Sequence, residues 1–115
     1  MITQRDIILV PFPFSDQSGT KVRPALVLSK HSFNSTSKDI IICGITSNIS
    51  KDFYSIEISS KHLEDGKIVP SMIKVENLAK IEQRLVIKRI GKLKSAEFKR
   101  VLDILQALFS DSDSV

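Results

Sequence analysis

Side chains that could take part in chemistry are few and scattered in this sequence. The two histidines, His31 and His62, each lie beside serine and lysine in a polar stretch, which is typical of solvated loop residues. The sequence contains no phosphate-binding P-loop, no GxGxxG, no HExxH and no GxSxG motif. Serine is so abundant that its proximity to a histidine carries no weight. Residue types and spacing alone therefore indicate no familiar catalytic mechanism.

Charge is the more informative signal. The 115 residues contain 17 lysines and arginines against 13 aspartates and glutamates, which gives a net charge of +4. Two of the acidic residues, Asp111 and Asp113, lie in the serine- and aspartate-rich terminus, so the body of the chain is more basic than the total suggests. The densest basic stretch is residues 80–100. Such an excess favours a polyanionic partner, either a nucleic acid or an acidic peptide, without establishing one.

Cysteine usage and hydropathy bound the class of protein. Cys43 is the single cysteine and follows an apolar run, which predicts a buried, reduced thiol in a cytoplasmic protein. No histidine and cysteine cluster has metal-ligand spacing, so we expect neither a metal nor a cofactor. No signal peptide is recognisable, and no apolar stretch approaches the roughly 20 residues that span a bilayer. We expect one domain over residues 1–115, with a flexible tail at about 110–115.

Hydrophobic periodicity predicts mostly strands over the first three-quarters of the chain. A first strand at 7–10 is expected to end at the two prolines that follow, because proline cannot continue a central strand. A polar loop, SDQSGT, occupies residues 15–20. Further strands are predicted at 22–29, 39–47, 54–59 and 68–78, with a loop at 30–38 and a turn at 64–66.

The last quarter of the chain has a helical period. Ser95 is the predicted N-cap, Glu97 lies in the first turn, and apolar residues follow at steps of three and four as far as Phe109. These features predict an amphipathic helix over 95–109, and a shorter helical turn is possible at 82–86. Strands followed by one helix predict a mainly β fold, a small barrel with a C-terminal helix.

Three segments of the sequence together resemble the MazF/PemK family of toxins from toxin–antitoxin operons. They are RDIILVPFPFSDQSGTKVRPALVLS, then DIIICGITSNI, then SMIKVENLAKIEQRLVIKRIGKL, in the family's order and spacing over roughly residues 5–109. The resemblance implies an SH3-like barrel that works as a homodimer. It also implies a metal-independent endoribonuclease that cleaves single-stranded mRNA.

The same resemblance implies that Arg23 and Thr46 are a catalytic pair, since they fall on the family's Arg-Pro and Ile-Thr-Ser positions. The reaction would be attack of a ribose 2′-OH on the adjacent phosphate, leaving a 2′,3′-cyclic phosphate and a 5′-OH. A guanidinium can hold two phosphoryl oxygens of the transition state, and a threonine hydroxyl can donate to a third. Without this family pattern, Arg23 would be explained as a surface residue of a strand, and Thr46 as a residue present for its β-propensity.

A candidate base comes from an Arg-x-Asp pair of some PemK-type members, which corresponds here to Lys74 and Glu76. Residues two apart on a strand share a face, so Glu76 could accept the 2′-OH proton while Lys74 neutralises charge. A plain ion pair on a solvated face explains both residues equally well. An Arg-Thr pair found downstream in many members is Ala79 and Lys80 here, and this departure bears on base preference and turnover.

RNA binding would use groups beside this site together with flat side chains for the bases. Phe12 and Phe14 could stack bases, but packing of the barrel or of a dimer seam explains them better. The family resemblance also implies that the SDQSG loop is a mobile wall of the substrate groove, and that a cognate antitoxin, peptide or protein, lies along the dimer groove and blocks Arg23. The predicted RNA contacts are Lys21, Ser47, Lys74 and Asn77.

Two other functions stay open at this point. One is a barrel of the same architecture that poisons a protein target, as the gyrase-binding CcdB-type relatives do, and it would not require Arg23 or Thr46. The other is a non-catalytic RNA-binding barrel, suggested by Glu76 and by Ala79 and Lys80.

Overall fold

The structure is a computed structural model that describes residues 2–13 and 20–111. Residues 14–19, which hold Phe14 and most of the predicted SDQSGT loop, and residues 112–115 of the predicted tail lie outside the described residues. No helix in the described ranges is both long and apolar enough to cross a membrane. The elements, in chain order, are β1 (Asp6–Pro13), β2 (Thr20–Val27), α1 (His31–Thr36), β3 (Asp39–Thr46), β4 (Ser55–Ile58), β5 (Leu63–Gly66), β6 (Ser71–Glu82), β7 (Lys88–Leu93) and α2 (Ser95–Leu108).

All the described strands join one sheet, in the order β4-β6-β3-β2-β1-β7-β5. Every neighbouring pair is antiparallel. The sheet curls into a half-barrel, and the C-terminal helix α2 packs on it. The predicted fold class, mainly β with a barrel-like sheet and one C-terminal helix, is confirmed.

Alternate residues of a strand point to opposite sides of the sheet, and this gives the molecule two apolar clusters. One side, the helix face, is covered by α2, whose Phe98 and Val101 are buried against it. The other side, the second face, carries its own cluster: Ile8, Val10, Phe12, Ala25, Val27, Ile40 and Ile42. Phe12 is thus a packing residue, as the sequence favoured.

The first strand does not end at its prolines, and that prediction is wrong. β1 continues to Pro13 and stays paired with β2, with Pro11 opposite Val22. Its ladder with β7 ends earlier, where Leu9 lies opposite Lys88. The prolines therefore occupy a part of β1 that has a strand on one side only, where a missing N–H is tolerated.

The predicted loop at 30–38 contains the short helix α1. Buried polar groups explain it, because Asn34 donates from Nδ2 to the carbonyl of Ser29 at 2.9 Å and its own carbonyl accepts from Gln83 Nε2 at 2.7 Å. Gln83 itself begins a 3₁₀ turn, Gln83–Leu85, which matches the possible helical turn at 82–86.

Three further predictions of local structure also differ. The expected turn at 64–66 belongs to the strand β5, which pairs with β7. Gly66 in this strand has φ +85°, and a Cβ added there would lie 2.1 Å from the carbonyl oxygen of Ile90. Ser95 is the first residue of α2 rather than its N-cap, which is Lys94 and makes no side-chain capping bond. Strand β6, which follows β5 in the chain, starts at Ser71 instead of residue 68.

Candidate active site

Arg23 and Thr46 are brought together by the antiparallel pairing of β2 with β3. Ala25 lies opposite Gly44, and continuing that register by two residues aligns Arg23 with Thr46. Ala25 lies on the second face, and Arg23 and Thr46, each two residues from the pair of Ala25 and Gly44, point to the same side of the sheet. Both side chains line one pocket of about 350 Å³, with Lys21, Val22, Pro24, Ile45, Ser47, Ile68, Val69 and Ser71.

Each member of the pair is held by its surroundings. Arg23 lies opposite Val10 of β1, and its side chain is half-buried with Nε buried. Thr46 Oγ1 accepts a hydrogen bond from the backbone N–H of Asn48 at 3.1 Å. Because that bond uses the hydroxyl as an acceptor, its proton is left to donate. A fixed cation and a hydroxyl donor in one pocket are suited to binding a phosphate.

Lys74 lies at the centre of a second polar group on β6. Its Nζ is 2.5 Å from Asp52 Oδ2 and 3.8 Å from Glu76 Oε2. Asp52 Oδ1 also accepts from Ser55 Oγ at 2.7 Å and from the Tyr54 N–H at 2.9 Å. The Lys74 bond first, and the two Oδ1 bonds after it, lower the pKa of Asp52 to about 2. The same bond to Asp52 raises the pKa of Lys74.

Strand pairing places this second group beside the first. Lys74 lies opposite Gly44 of β3 on one side and opposite Ser55 of β4 on the other. Residues directly opposite each other share a face, so Lys74 lies on the second face with Arg23 and Thr46. Strands are spaced about 4.8 Å apart, so a single strand spacing separates Lys74 from the β3 backbone.

A bulge in β6 sets the positions of Glu76 and Asn77. Gly44 lies opposite Lys74, but the preceding residue, Cys43, lies opposite Leu78, so residues 75–77 are inserted between two steps of the ladder. Asn77 lies against Gly44, where an added Cβ would be 2.7 Å from its Nδ2. Glu76 is exposed.

The predicted site residues therefore fall into two adjacent groups. Arg23, Thr46, Lys21 and Ser47 form the pocket. Lys74, Glu76 and Asn77 lie along β6, and none of these three is among the described residues that line the pocket. Asn77 contacts Gly44, which lies two positions before Thr46 on β3, and so connects the two groups.

The chain matches the family described as PemK-like, MazF-like toxin of type II toxin-antitoxin system over residues 3–109. It belongs to this family. No curated protein matches the sequence significantly.

Solved structures of MazF proteins share the fold at low sequence identity. A MazF from Deinococcus radiodurans superposes with a TM-score of 0.76 and 18% identity, over 93% of this chain and 94% of that one. The Mycobacterium tuberculosis toxin MazF-mt6 gives 0.74 and 18%, over 91% and 96%. A mycobacterial endoribonuclease solved with its cognate antitoxin gives 0.75 and 9%, over 93% of each chain.

One residue of this PemK-like site was missed from the sequence. Asp52 was not singled out because its link to Lys74 depends on the pairing of β4 with β6, which brings together residues far apart in the chain. An aspartate side chain commonly accepts a hydrogen bond from the backbone N–H two residues later, as Asp52 does from Tyr54, and an aspartate at such a position is a recognisable local signal of a turn. The signal predicts the turn, but not the partner on β6.

Other candidate groups have structural roles. His62 accepts a hydrogen bond at Nδ1 from the Ser59 N–H at 3.0 Å, while His31 is exposed on α1. The predicted burial of Cys43 is confirmed, and burial raises the pKa of its thiol to about 12, with a smaller contribution from the charge of Glu76. Residues 2–13 and 20–111 hold no group of three or more His, Cys, Asp or Glu side chains arranged for a metal ion.

The basic stretch at 80–100 is less available as a cationic surface than its composition suggests. Most of its positive side chains pair with acidic ones, and Arg89 for example bonds both Asp6 and Asp65. The members of the stretch in ion pairs are Lys80, Arg84, Arg89, Lys92, Lys99 and Arg100.

Proposed function

We propose that this toxin is an endoribonuclease that cleaves single-stranded mRNA with sequence selectivity. The observation that carries the proposal is that Arg23 and Thr46 line the same pocket. Fixed cationic and hydroxyl donors stabilise charge as it develops on phosphoryl oxygens.

The proposed reaction is an internal transfer in the RNA. The ribose 2′-oxygen forms a bond to the adjacent phosphorus while the bond to the 5′-oxygen breaks, which gives a 2′,3′-cyclic phosphate and a 5′-OH. Arg23 holds the phosphoryl oxygens and donates a hydrogen bond to the leaving 5′-oxygen, which takes its proton from solvent, and Thr46 donates a hydrogen bond to a nonbridging oxygen. Because the substrate supplies its own nucleophile and Arg23 supplies the charge, we propose that no metal or cofactor is required.

We propose Glu76 as the group that accepts the 2′-OH proton. Its carboxylate lies beside Lys74 on β6 and outside the pocket lining, so the scissile phosphate and its 2′-OH would lie over Gly44, between Arg23 and Glu76. Lys21, Ser47, Lys74 and Asn77 border that path and are the proposed RNA contacts.

The proposal extends to partners and location. A mycobacterial relative in fold was solved with its cognate antitoxin, and the family is defined by toxin–antitoxin systems. We therefore propose a cognate antitoxin, peptide or protein, for this chain and a homodimeric toxin. Because mRNA is the proposed substrate, the protein would act in the cytoplasm.

The test is cleavage of a mixed-sequence RNA by the purified protein in EDTA, with primer extension to map the ends. We expect 5′-OH ends at defined sites. Arg23→Ala should lower the rate by at least about a hundredfold. Arg84→Ala removes an exposed arginine that is ion-paired with Glu82 and should cut normally. Both variants should melt cooperatively by circular dichroism.

Other outcomes separate the alternatives. Full activity of Arg23→Ala would overturn its assigned role. RNA that is bound but survives uncut would indicate a non-catalytic RNA-binding barrel. Trapped gyrase–DNA breaks in cells, without RNA cleavage, would indicate a poison of a protein target.

A further inference from the structure

Phe53 lies almost fully in solvent, with 92% of its surface exposed. It belongs to the loop of residues 47–54, which joins Thr46 at the end of β3 to Ser55 at the start of β4. At this exposure the ring contacts almost nothing in the part of the chain that the structure describes. A large apolar side chain in such a position adds little to folding, and since singly exposed apolar residues are common, the case for a role rests on what surrounds the ring.

The backbone on both sides of Phe53 is fixed. The preceding residue, Asp52, accepts from the N–H of Tyr54 and from the hydroxyl of Ser55, at 2.9 and 2.7 Å. Its other carboxylate oxygen bonds Lys74 Nζ at 2.5 Å, which ties the turn to β6. The ring therefore projects from a turn that is already ordered, and a ligand would pay little entropy to use it.

This turn lies on the second face, beside the candidate active site. Ser55, Lys74 and Gly44 form one row across β4, β6 and β3. Two strand spacings, or about 10 Å, separate the start of β4 from β3. The ammonium of Lys74 lies between the two strands, and Lys51 is exposed on the same loop as Phe53. A strand held at Arg23 and Thr46 would thus meet the ion pair of Lys74 with Asp52 and then an aromatic ring.

We propose that Phe53 is a stacking platform for an unpaired base of the RNA, with Lys51 contacting the phosphate next to it and Lys74 holding the turn through Asp52. The inference rests on the proposed function, because it takes the RNA to be held in the Arg23 pocket. Single-stranded RNA is bound in this way elsewhere, by cationic groups along the backbone and flat rings beneath the bases.

The surroundings of Phe53 favour RNA over a protein partner. The other strongly exposed ring among the described residues, Phe109, is part of an apolar groove with Leu28, Ile41, Leu78 and Leu105. Contiguous apolar surface of that kind is typical of protein contacts. Phe53 instead follows Lys51 and Asp52 directly in the chain and precedes the half-buried Tyr54, so one exposed ring stands next to charges, an arrangement suited to a single base.

The test uses a short, mixed-sequence RNA that is 2′-O-methylated throughout and therefore cannot be cleaved by 2′-OH attack. Affinity is measured by fluorescence anisotropy, and stacking by quenching of 2-aminopurine placed in the same RNA. Phe53→Ala should weaken binding about tenfold and abolish the quenching. Phe53→Tyr should retain both, and Phe53→Leu should behave like alanine, because it keeps the apolar bulk without the ring. Phe109→Ala is the matched control and should bind as the wild type does.

A double-mutant cycle tests the role of the turn. Ser55→Ala removes one hydrogen bond to Asp52 without changing a charge. It should weaken binding by a smaller factor than Phe53→Ala, and in the Phe53→Ala background it should cost little more, because its effect acts through the ring.

The outcomes distinguish this inference from the function on which it rests. If the wild type cleaves RNA and Phe53→Ala binds normally, the stacking role is overturned and the nuclease stands. If Phe53→Ala loses affinity but the wild type never cleaves, the stacking role stands and the nuclease falls. A wild type that binds no RNA overturns both. A change in self-association at unchanged RNA affinity would make Phe53 a protein contact and overturn the inference.

Discussion

The side chain of Asn77 occupies the space that Gly44 leaves open on β3. A Cβ added at Gly44 would lie 2.7 Å from Asn77 Nδ2, closer than real Cβ contacts, but at an ordinary 3.5 Å from Phe12 Cζ. The conflict is therefore confined to one polar side chain at the border between the pocket and β6. That contact joins the two halves of the proposed site.

The first prediction concerns the stability of Gly44→Ala. Alanine in a strand is favoured over glycine by about 0.5–1 kcal/mol because the unfolded chain loses less entropy. In the wild type the added methyl must displace the exposed end of the Asn77 side chain, so part of this gain should be lost and the substitution should stabilise the protein less than it does without Asn77. In an Asn77→Ala background the same substitution should stabilise the protein by about 0.5 kcal/mol.

Urea unfolding of the four proteins gives the coupling free energy between the two positions. Equal effects of Gly44→Ala in both backgrounds would show that Asn77 does not occupy this space. RNA cleavage by Gly44→Ala alone should fall, since the displaced amide no longer lies between the two groups of site residues.

The second prediction is the acid titration of Asp52. Its pKa of about 2 lies below the ordinary 3.8, so the folded state favours the carboxylate. The stabilisation is complete above pH 4 and is lost as the pH falls through about 2. Carboxyl-carbon NMR should give a midpoint near 2, and the amides of residues 52–55 should shift with it.

Lys74→Met should move the Asp52 midpoint upwards because it removes the largest cause of the depression. Some depression should remain through Ser55 and Tyr54. Lys51→Met is the control and should leave the midpoint unchanged. An ordinary midpoint in the wild type would contradict the contact between Lys74 and Asp52.

The third prediction concerns the buried carboxylate of Asp6. Its side chain is 2% exposed and accepts from Arg89 Nε at 3.0 Å and from the Thr3 N–H at 2.8 Å, with Lys92 Nζ at 3.5 Å. Asp6→Ala leaves these donors without their acceptor. Arg89 is partly exposed and can be hydrated, so we expect a loss of about 2 kcal/mol, less than for a fully buried pair.

Urea denaturation measures this loss, and Asp65→Ala provides the comparison. Asp65 pairs with the same arginine on the surface, so its removal should have little effect. Equal destabilisation by the two substitutions would mean that burial of Asp6 does not govern the energetics of this network.

The fourth prediction is that the thiol of Cys43 is unreactive in the folded protein. Burial raises its pKa to about 12, so almost no thiolate exists near neutral pH. A disulfide reagent at pH 8 should label the protein only after unfolding. Glu76→Gln should leave this protection in place, because burial is the larger cause of the raised pKa. Rapid labelling of the native chain would show that the region around β3 opens readily.

Local patterns of the sequence were sufficient for the fold class and for one half of the site. Arg23 lies two residues from Ala25 on β2, and Thr46 lies two residues from Gly44 on β3, and Ala25 and Gly44 are opposite each other. Two correctly predicted strands therefore suffice to bring Arg23 and Thr46 together. α2 was likewise recognisable from its apolar spacing, with its end at Leu108.

The other half of the site depends on register between distant strands, which no local pattern contains. Lys74 and Glu76 were expected to share a face through plain alternation, but Glu76 lies inside the bulge at 75–77. The ion pair between Lys74 and Glu76 is nevertheless present, at 3.8 Å. Asp52 meets Lys74 only because β4 pairs with β6 at Ser55. The continuation of β1 through its prolines was missed for the same reason, since it depends on where β7 stops.

The bulge of β6 frees two exposed side chains, those of Glu76 and Asn77, from the pairing between strands. Residues 75–77 are inserted between the steps that join Lys74 to Gly44 and Leu78 to Cys43, so replacing either side chain removes no step. Mutations there are able to accumulate without unfolding the scaffold. Substitutions at these two positions can therefore change what the proposed site contacts while the pairing of β3 with β6 stays in place.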